Sequence, residues 1–112
     1  MKKIDDVLKA LSDETRLRII NLLFSQELCV CDIVETLEIT QTKASRHLQY
    51  LKNASLVEDK KYAQWVHYSM TDISDMKFLN DLIMDNIRKQ EPFKSDLKKL
   101  DKRLKNKKTT CE

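Results

Sequence analysis

Apolar residues recur every three to four positions through the first half of the chain and then switch to strict alternation. That change of period sets the expected architecture. Ile4, Val7, Leu8 and Leu11 form a short amphipathic stripe that predicts a first helix. Ser12 is placed to cap a second, with Asp13 and Glu14 in its electropositive first turn. Leu17, Ile20 and Phe24, flanked by Ile19, Leu22 and Leu23, give that helix a broad buried face. Residues 32–38 read as a short third helix with Ile33, Val34 and Leu37 inward. Thr40 then caps a fourth, whose Ala44, Leu48 and Leu51 follow i, i+4, i+7.

Past Leu56 the period becomes two. Val66, Tyr68 and Met70 alternate with Trp65, His67 and Ser69, which predicts a strand. Residues 56–61 are its expected partner, with residues 60–64 at the hairpin tip. Ser74 or Asp75 opens a fifth helix with a stripe of Leu79, Leu82, Ile83 and Ile87. Pro92 interrupts it, and a sixth helix follows with Phe93, Leu97, Leu100 and Leu104 at near-heptad spacing. A small domain leaves little core for this last stripe, so it is expected to be buried against another chain. The fold class expected is mainly α with a small β-hairpin, in which a helix-turn-helix is followed by a wing.

Composition narrows the possibilities. With 112 residues the chain makes one domain, and no apolar run approaches the roughly 20 residues needed to span a bilayer. The start, Met1-Lys2-Lys3-Ile4-Asp5-Asp6, has no apolar leader, so a cytoplasmic location is expected. Three cysteines in such a compartment are thiols available to metal or redox chemistry rather than a disulfide framework. The absence of glycine argues against phosphate-cradling loops and dinucleotide turns, and no nucleophile–base pair has recognisable spacing. An enzyme is not expected. The net charge of +3 is uneven, because residues 94–112 carry +5 and the remainder −2. Within residues 40–62, however, Lys43, Arg46, Lys52, Lys60 and Lys61 face only Glu58 and Asp59, a local excess suited to a phosphate surface.

The solvent face of the fourth helix carries Gln41, Thr42, Lys43, Ser45, Arg46, His47 and Gln49. These side chains supply the donors and acceptors that read base edges and phosphates. Residues early in a recognition helix penetrate the major groove furthest, so Gln41, Thr42, Ser45 and Arg46 are candidate base contacts. Lys43 and His47 are candidate phosphate contacts, and Lys60, Lys61 and Gln64 on the wing are placed for flanking backbone. Double-stranded DNA is the partner this pattern implies. Residues 1–91 are then the DNA-binding and dimerisation domain, residues 92–105 a C-terminal amphipathic helix and residues 106–112 a flexible basic tail.

Cys29 and Cys31 sit two apart just before the third helix. In extended backbone such a pair points to one side and can chelate one ion, whereas in an α-helix it lies about 200° apart. The pair therefore suits a site whose occupation favours one local conformation over another.

Four ordered segments bring a family into view. The run Leu11-Ser12-Asp13-Glu14-Thr15-Arg16-Leu17-Arg18-Ile19, then Glu27-Leu28-Cys29-Val30-Cys31-Asp32, then Ser45-Arg46-His47-Leu48 and Trp65-Val66-His67-Tyr68, resembles the ArsR/SmtB family of metal-sensing winged-helix repressors. The resemblance covers about residues 4–90. It implies a homodimer with the first and fifth helices at the interface, bound to an imperfectly palindromic operator and released by an inducer. Glycines usual in the family are replaced here by Ser55 before the first wing strand and by Tyr62-Ala63 at the wing tip.

Cys29-Val30-Cys31 resembles the thiol motif of the arsenical-sensing and the cadmium/lead-sensing branches. Soft thiolates select soft ions, and zinc prefers four tetrahedral ligands that one subunit cannot supply as thiols. Trivalent arsenic or antimony accepts three thiolates, matching three cysteines; Cd(II) or Pb(II) is the alternative. The cadmium/lead sensors add cysteines before the first helix, where this chain has none. Arsenic sensors can carry a third cysteine where this chain has Val34, which leaves Cys111, from its own or the partner subunit, or a small cellular thiol. Residues 72–91 contain no histidine, so the family's second metal site has no counterpart. A thiol redox switch on the same DNA reader is the competing reading, although Asp32 and Glu35 disfavour thiolate formation.

Overall fold

The computed structural model describes residues 3–106. Helix α1 (Ile4–Leu11) is followed by α2 (Glu14–Leu23), a two-residue strand β1 (Leu28–Cys29), α3 (Val30–Leu37) and α4 (Gln41–Asn53). Strands β2 (Val57–Tyr62) and β3 (Trp65–Met70) form the wing. Helix α5 (Lys77–Asp81) continues as a π turn (Leu82–Asn86) and a 3-10 turn (Ile87–Lys89), and α6 (Phe93–Asn106) ends the described chain. The expected class, mainly α with a small winged hairpin, is what forms.

The sheet order is β1-β3-β2, all antiparallel. Leu28 and Cys29 pair with Tyr68 and His67, so the strand leading into α3 is stitched to the wing. The β2–β3 ladder runs from Val57↔Met70 to Tyr62↔Trp65, which narrows the tip to Ala63 and Gln64. Ala63 has φ 56° and Ser55 φ 63°, so both positions where the family usually has glycine keep a left-handed backbone with a Cβ in place.

Three helix starts differ from the sequence expectation; the fifth helix opens at Lys77 after Met76 rather than at Ser74 or Asp75, because Ser74 is held in a turn by its N–H donating to Asp72 Oδ1 at 2.9 Å. The cap of α2 is Asp13, whose carboxylate accepts the backbone N–H of Arg16 at 3.1 Å. Ser12 instead closes α1, its hydroxyl donating to Lys9 O. Helix α3 begins at Val30 rather than at residue 32, so Cys29 is its extended N-cap and Cys31 lies in its first turn. The physical reason is Asp32, which reaches back to accept the Cys29 N–H at 3.3 Å, the reciprocal half of a capping box. Thr40 caps α4 as its position requires, accepting from Lys43 N.

The core joins Val7 of α1, Ile19 and Leu22 of α2, Ile33 of α3, Leu48 of α4 and Leu79 of the fifth helix. The sixth helix differs most from expectation. Its stripe is not left for another chain: Phe93 and Leu100 enter this same core, with Leu97 and Leu104 packed against it. Helix α6 lies across α2 and α3. Each such side chain contributes about 1.5–3 kcal/mol by burial, which adds to the core the other helices form. No helix among the described residues is long and apolar enough to cross a membrane.

Candidate DNA-reading face and cysteine site

The α4 surface exposes Gln41, Thr42, Ser45, Arg46 and Gln49 to solvent, while Lys43 and His47 are half-buried at its edge. Lys60, Lys61 and Gln64 are exposed on the wing. The first turn of α4 contains no acidic residue, so no carboxylate of that turn offsets its positive pole. At the other end Lys52 pairs with Asp59 at 3.0 Å, tying α4 to β2.

Arg16 belongs to this surface, and a reading of α4 alone misses it. Its guanidinium donates to Ala10 O at 2.7 Å and Lys9 O at 3.2 Å, stacks 4.0 Å over the Tyr50 ring, and lies 3.4 Å from His47 Nδ1. One side chain therefore locks the end of α1 to the flank of α4. Burial holds the His47 imidazole below its ordinary value; the Asp13 charge opposes this and those of Arg16, Arg46 and Lys43 reinforce it. Burial would raise the Asp13 carboxyl, but the Arg16 backbone donor and the His47 and Arg16 charges leave it lowered.

Cys29 is fully buried and Cys31 half-buried, at the junction of β1 and α3. Both are disulfide-bonded in this structure. The 3.2 Å approach of Cys29 Sγ to Asp32 Oδ2 is therefore a sulfur–oxygen contact rather than a thiol hydrogen bond. Asp32 is itself buried and its Oδ1 accepts Arg103 Nε of α6 at 3.0 Å. Spacing along the chain gave no sign of that pair, since 71 positions separate the partners. His67 is opposite Cys29 in the sheet and pairs with Glu27 at 3.3 Å. Among the described residues no three His, Cys, Asp or Glu side chains converge to hold a metal. The third sulfur candidate, Cys111, lies outside the described residues.

A helix-turn-helix whose exposed second helix is basic, followed by a wing, defines a winged-helix nucleic-acid reader, here with two cysteines at the start of the first reading helix. The profile of "Bacterial regulatory protein, arsR family" matches residues 13–59. The "Arsenical resistance operon repressor" of Escherichia coli (strain K12) is 48% identical over 64 residues, 56% of this chain and 55% of that protein. The protein of the same name from Bacillus subtilis (strain 168) is 37% identical over 73 residues, 64% of this chain and 70% of that one. The solved structure of HlyU from Vibrio cholerae N16961 superposes with a TM-score of 0.69 at 32% identity, covering 78% of this chain and 92% of that chain. The chain belongs to the arsR family of bacterial regulatory proteins. It spans only about half the length (51–57%) of the first of its curated relatives. These relatives are regulators of transcription, not enzymes.

Proposed function

We propose that the protein is a metalloid-responsive transcriptional repressor, a homodimer that binds double-stranded operator DNA and leaves it on capturing trivalent arsenic or antimony. The carrying observation is the position of Cys29 and Cys31 at the start of α3, whose body packs on α4. Gln41, Thr42, Ser45 and Arg46 read base edges in the major groove. Lys43, His47, Lys60, Lys61 and Gln64 contact phosphates. Dimerisation uses α1 and the fifth helix, where Ile4, Leu8, Phe78 and Met84 stand exposed.

Exchange with a cellular dithiol, itself oxidised to a disulfide, first returns both cysteines to thiolates. Cys29 sits in extended backbone and Cys31 in the first turn of α3; the disulfide joins their sulfurs with that turn intact, and spreading them apart around one ion strains it. That turn is capped onto Cys29 through Asp32, and its loss shifts α3 against α4 and so the two reading helices relative to each other. The third sulfur comes from Cys111 or a small thiol. Two sulfurs, with no third sulfur among the described residues, suit a pyramidal metalloid completed from elsewhere better than four-coordinate Cd(II), which with Pb(II) is the alternative inducer.

The test is release from a duplex selected out of a random library, followed by fluorescence anisotropy. Arsenite is expected to weaken binding of the reduced wild type at least tenfold and to leave Cys29→Ser/Cys31→Ser bound; equal release of both proteins defeats the reading. The disulfide-bonded state of both cysteines favours a second reading, in which oxidation is the signal. Peroxide-driven release without metalloid, reversed by a dithiol reductant, would select it.

A further inference from the structure

The Asp32 carboxylate joins two places that belong to different parts of the molecule. Its Oδ2 accepts the Cys29 N–H at 3.3 Å and lies 3.2 Å from Cys29 Sγ, while its Oδ1 receives Arg103 Nε at 3.0 Å. Asp32 is 3% exposed, and a carboxylate so buried depends strongly on its cation. Helix α6 is thus fastened to the backbone of the cysteine site by one side chain. We propose that Asp32 and Arg103 form a latch through which the docking of α6 on α3 opposes ion capture at Cys29.

Three features of the geometry carry this. An ion bonded to Cys29 Sγ meets Oδ2 directly, because the sulfur and that oxygen are already in contact. Asp32 must then turn away from Cys29 N or toward the ion, and either movement takes Oδ1 from Arg103. The second feature is that the remaining polar links between α3 and α6 are weak, the apolar packing of Leu100 aside. Lys99 and Glu38 pair at 3.2 Å with both side chains at least half exposed, a pair of small worth. Thr36 Oγ1, in the groove lined by α6, is buried with no hydrogen-bond partner, a standing cost of this interface.

The third feature is that α6 is secured unevenly. Its first half is held by the buried Phe93 and by Asp96 paired with Arg18, whereas Arg103 is the ion pair that fastens its last turn to α3. Opening the latch therefore frees the last turn of α6 beyond the buried Leu100 and leaves the rest docked. Arg103 and Asp32 act as positioning residues while the latch is closed: together they fix the lead-in to α3. By linkage, whatever loosens the end of α6 favours capture, and capture loosens the end of α6 by the same factor.

The test uses the full-length reduced protein and reads iodoacetamide alkylation of Cys29 by peptide mass spectrometry at one pH. Arg103→Met is expected to speed it about fivefold or more, the lower end of usual coupling factors. Arg103→Lys is expected to restore most of the protection. Leu100→Ala, which loosens α6 without touching a charge, is expected to speed alkylation as well. Loss of the arginine charge alone acts in the opposite sense, because it leaves Asp32 uncompensated beside the sulfur and slows the reaction. Wild-type or slower rates in both Arg103→Met and Leu100→Ala overturn the latch.

A second arm rests on the metalloid reading. Adding arsenite to the wild type is expected to cost residues 101–106 their hydrogen-exchange protection while residues 93–97 keep theirs; unchanged protection on capture overturns the proposal. If arsenite does not release DNA but the alkylation results hold, the metalloid reading fails and the latch stands. If arsenite releases DNA and alkylation is unmoved, the latch alone fails.

Discussion

Arg18 and Asp96, 78 positions apart, are joined by two hydrogen bonds of 2.8 Å, one to each carboxylate oxygen. The Asp96 side chain is 1% exposed and that of Arg18 19%. The hydrogen bond to Asp96 is the largest influence raising the Arg18 guanidinium above its ordinary value, with burial opposing. The fork clamps α6 to α2 and explains why the sixth helix belongs to the domain.

Arg18→Met should leave Asp96 buried and unpaired, at a cost of about 3 kcal/mol, with the urea midpoint falling at constant slope. Arg18→Met/Asp96→Leu should recover most of the loss, since no charge is then stranded. A double variant no more stable than the single one would show that the pair does more than neutralise itself.

Ser55 and Ala63 occupy left-handed backbone. Replacing either by glycine should stabilise the fold by about 0.5–1 kcal/mol, the relief of Cβ strain less the added freedom of the unfolded chain. Thermal unfolding measures this directly, and a lower Tm for either variant contradicts the strain argument.

Arg46→Ala should cost about 1–3 kcal/mol in operator affinity and relax preference at one base pair, with little change elsewhere in the site. Lys61→Met should instead weaken all duplexes alike and reduce the slope of log K against log salt by about 1. Anisotropy titrations at several salt concentrations distinguish the two behaviours; identical profiles would remove the division between base and phosphate contacts.

His47, lowered by burial, is more readily protonated in the unfolded chain than in the folded one. Stability should therefore fall as pH drops from about 6.5 through the lower folded value, because the unfolded state binds the extra proton. A phosphate beside the ring favours the protonated form, so operator binding should strengthen relative to His47→Gln over the same interval. Urea titrations and anisotropy at pH 5.5 and 7.5 check both signs.

Much of the fold was legible because its signals are local. The spacing of Ile4, Val7 and Leu11, the cap at Thr40, and the alternation along β3 each act within a few residues. The exposed polar face of α4 was legible for the same reason, since Gln41, Thr42, Ser45 and Arg46 reach solvent by the helix's own period. The cap of α2 was misplaced by one because Ser12 and Asp13 are both capping types; a near-helical backbone at Ser12 and an extended one at Asp13 decide between them.

The amino-acid order by itself determined the helices, the wing and the adjacency of the two sulfurs to the first reading helix, all consequences of period and near-neighbour chemistry. Tertiary structure alone decided that α6 packs inward, that Arg16 links α1 to α4, and that Asp32 connects Cys29 to Arg103. Those contacts join groups as far as 78 positions apart, and no local pattern encodes them. They exist because buried carboxylates and open helix ends must find their partners wherever the packed chain brings them.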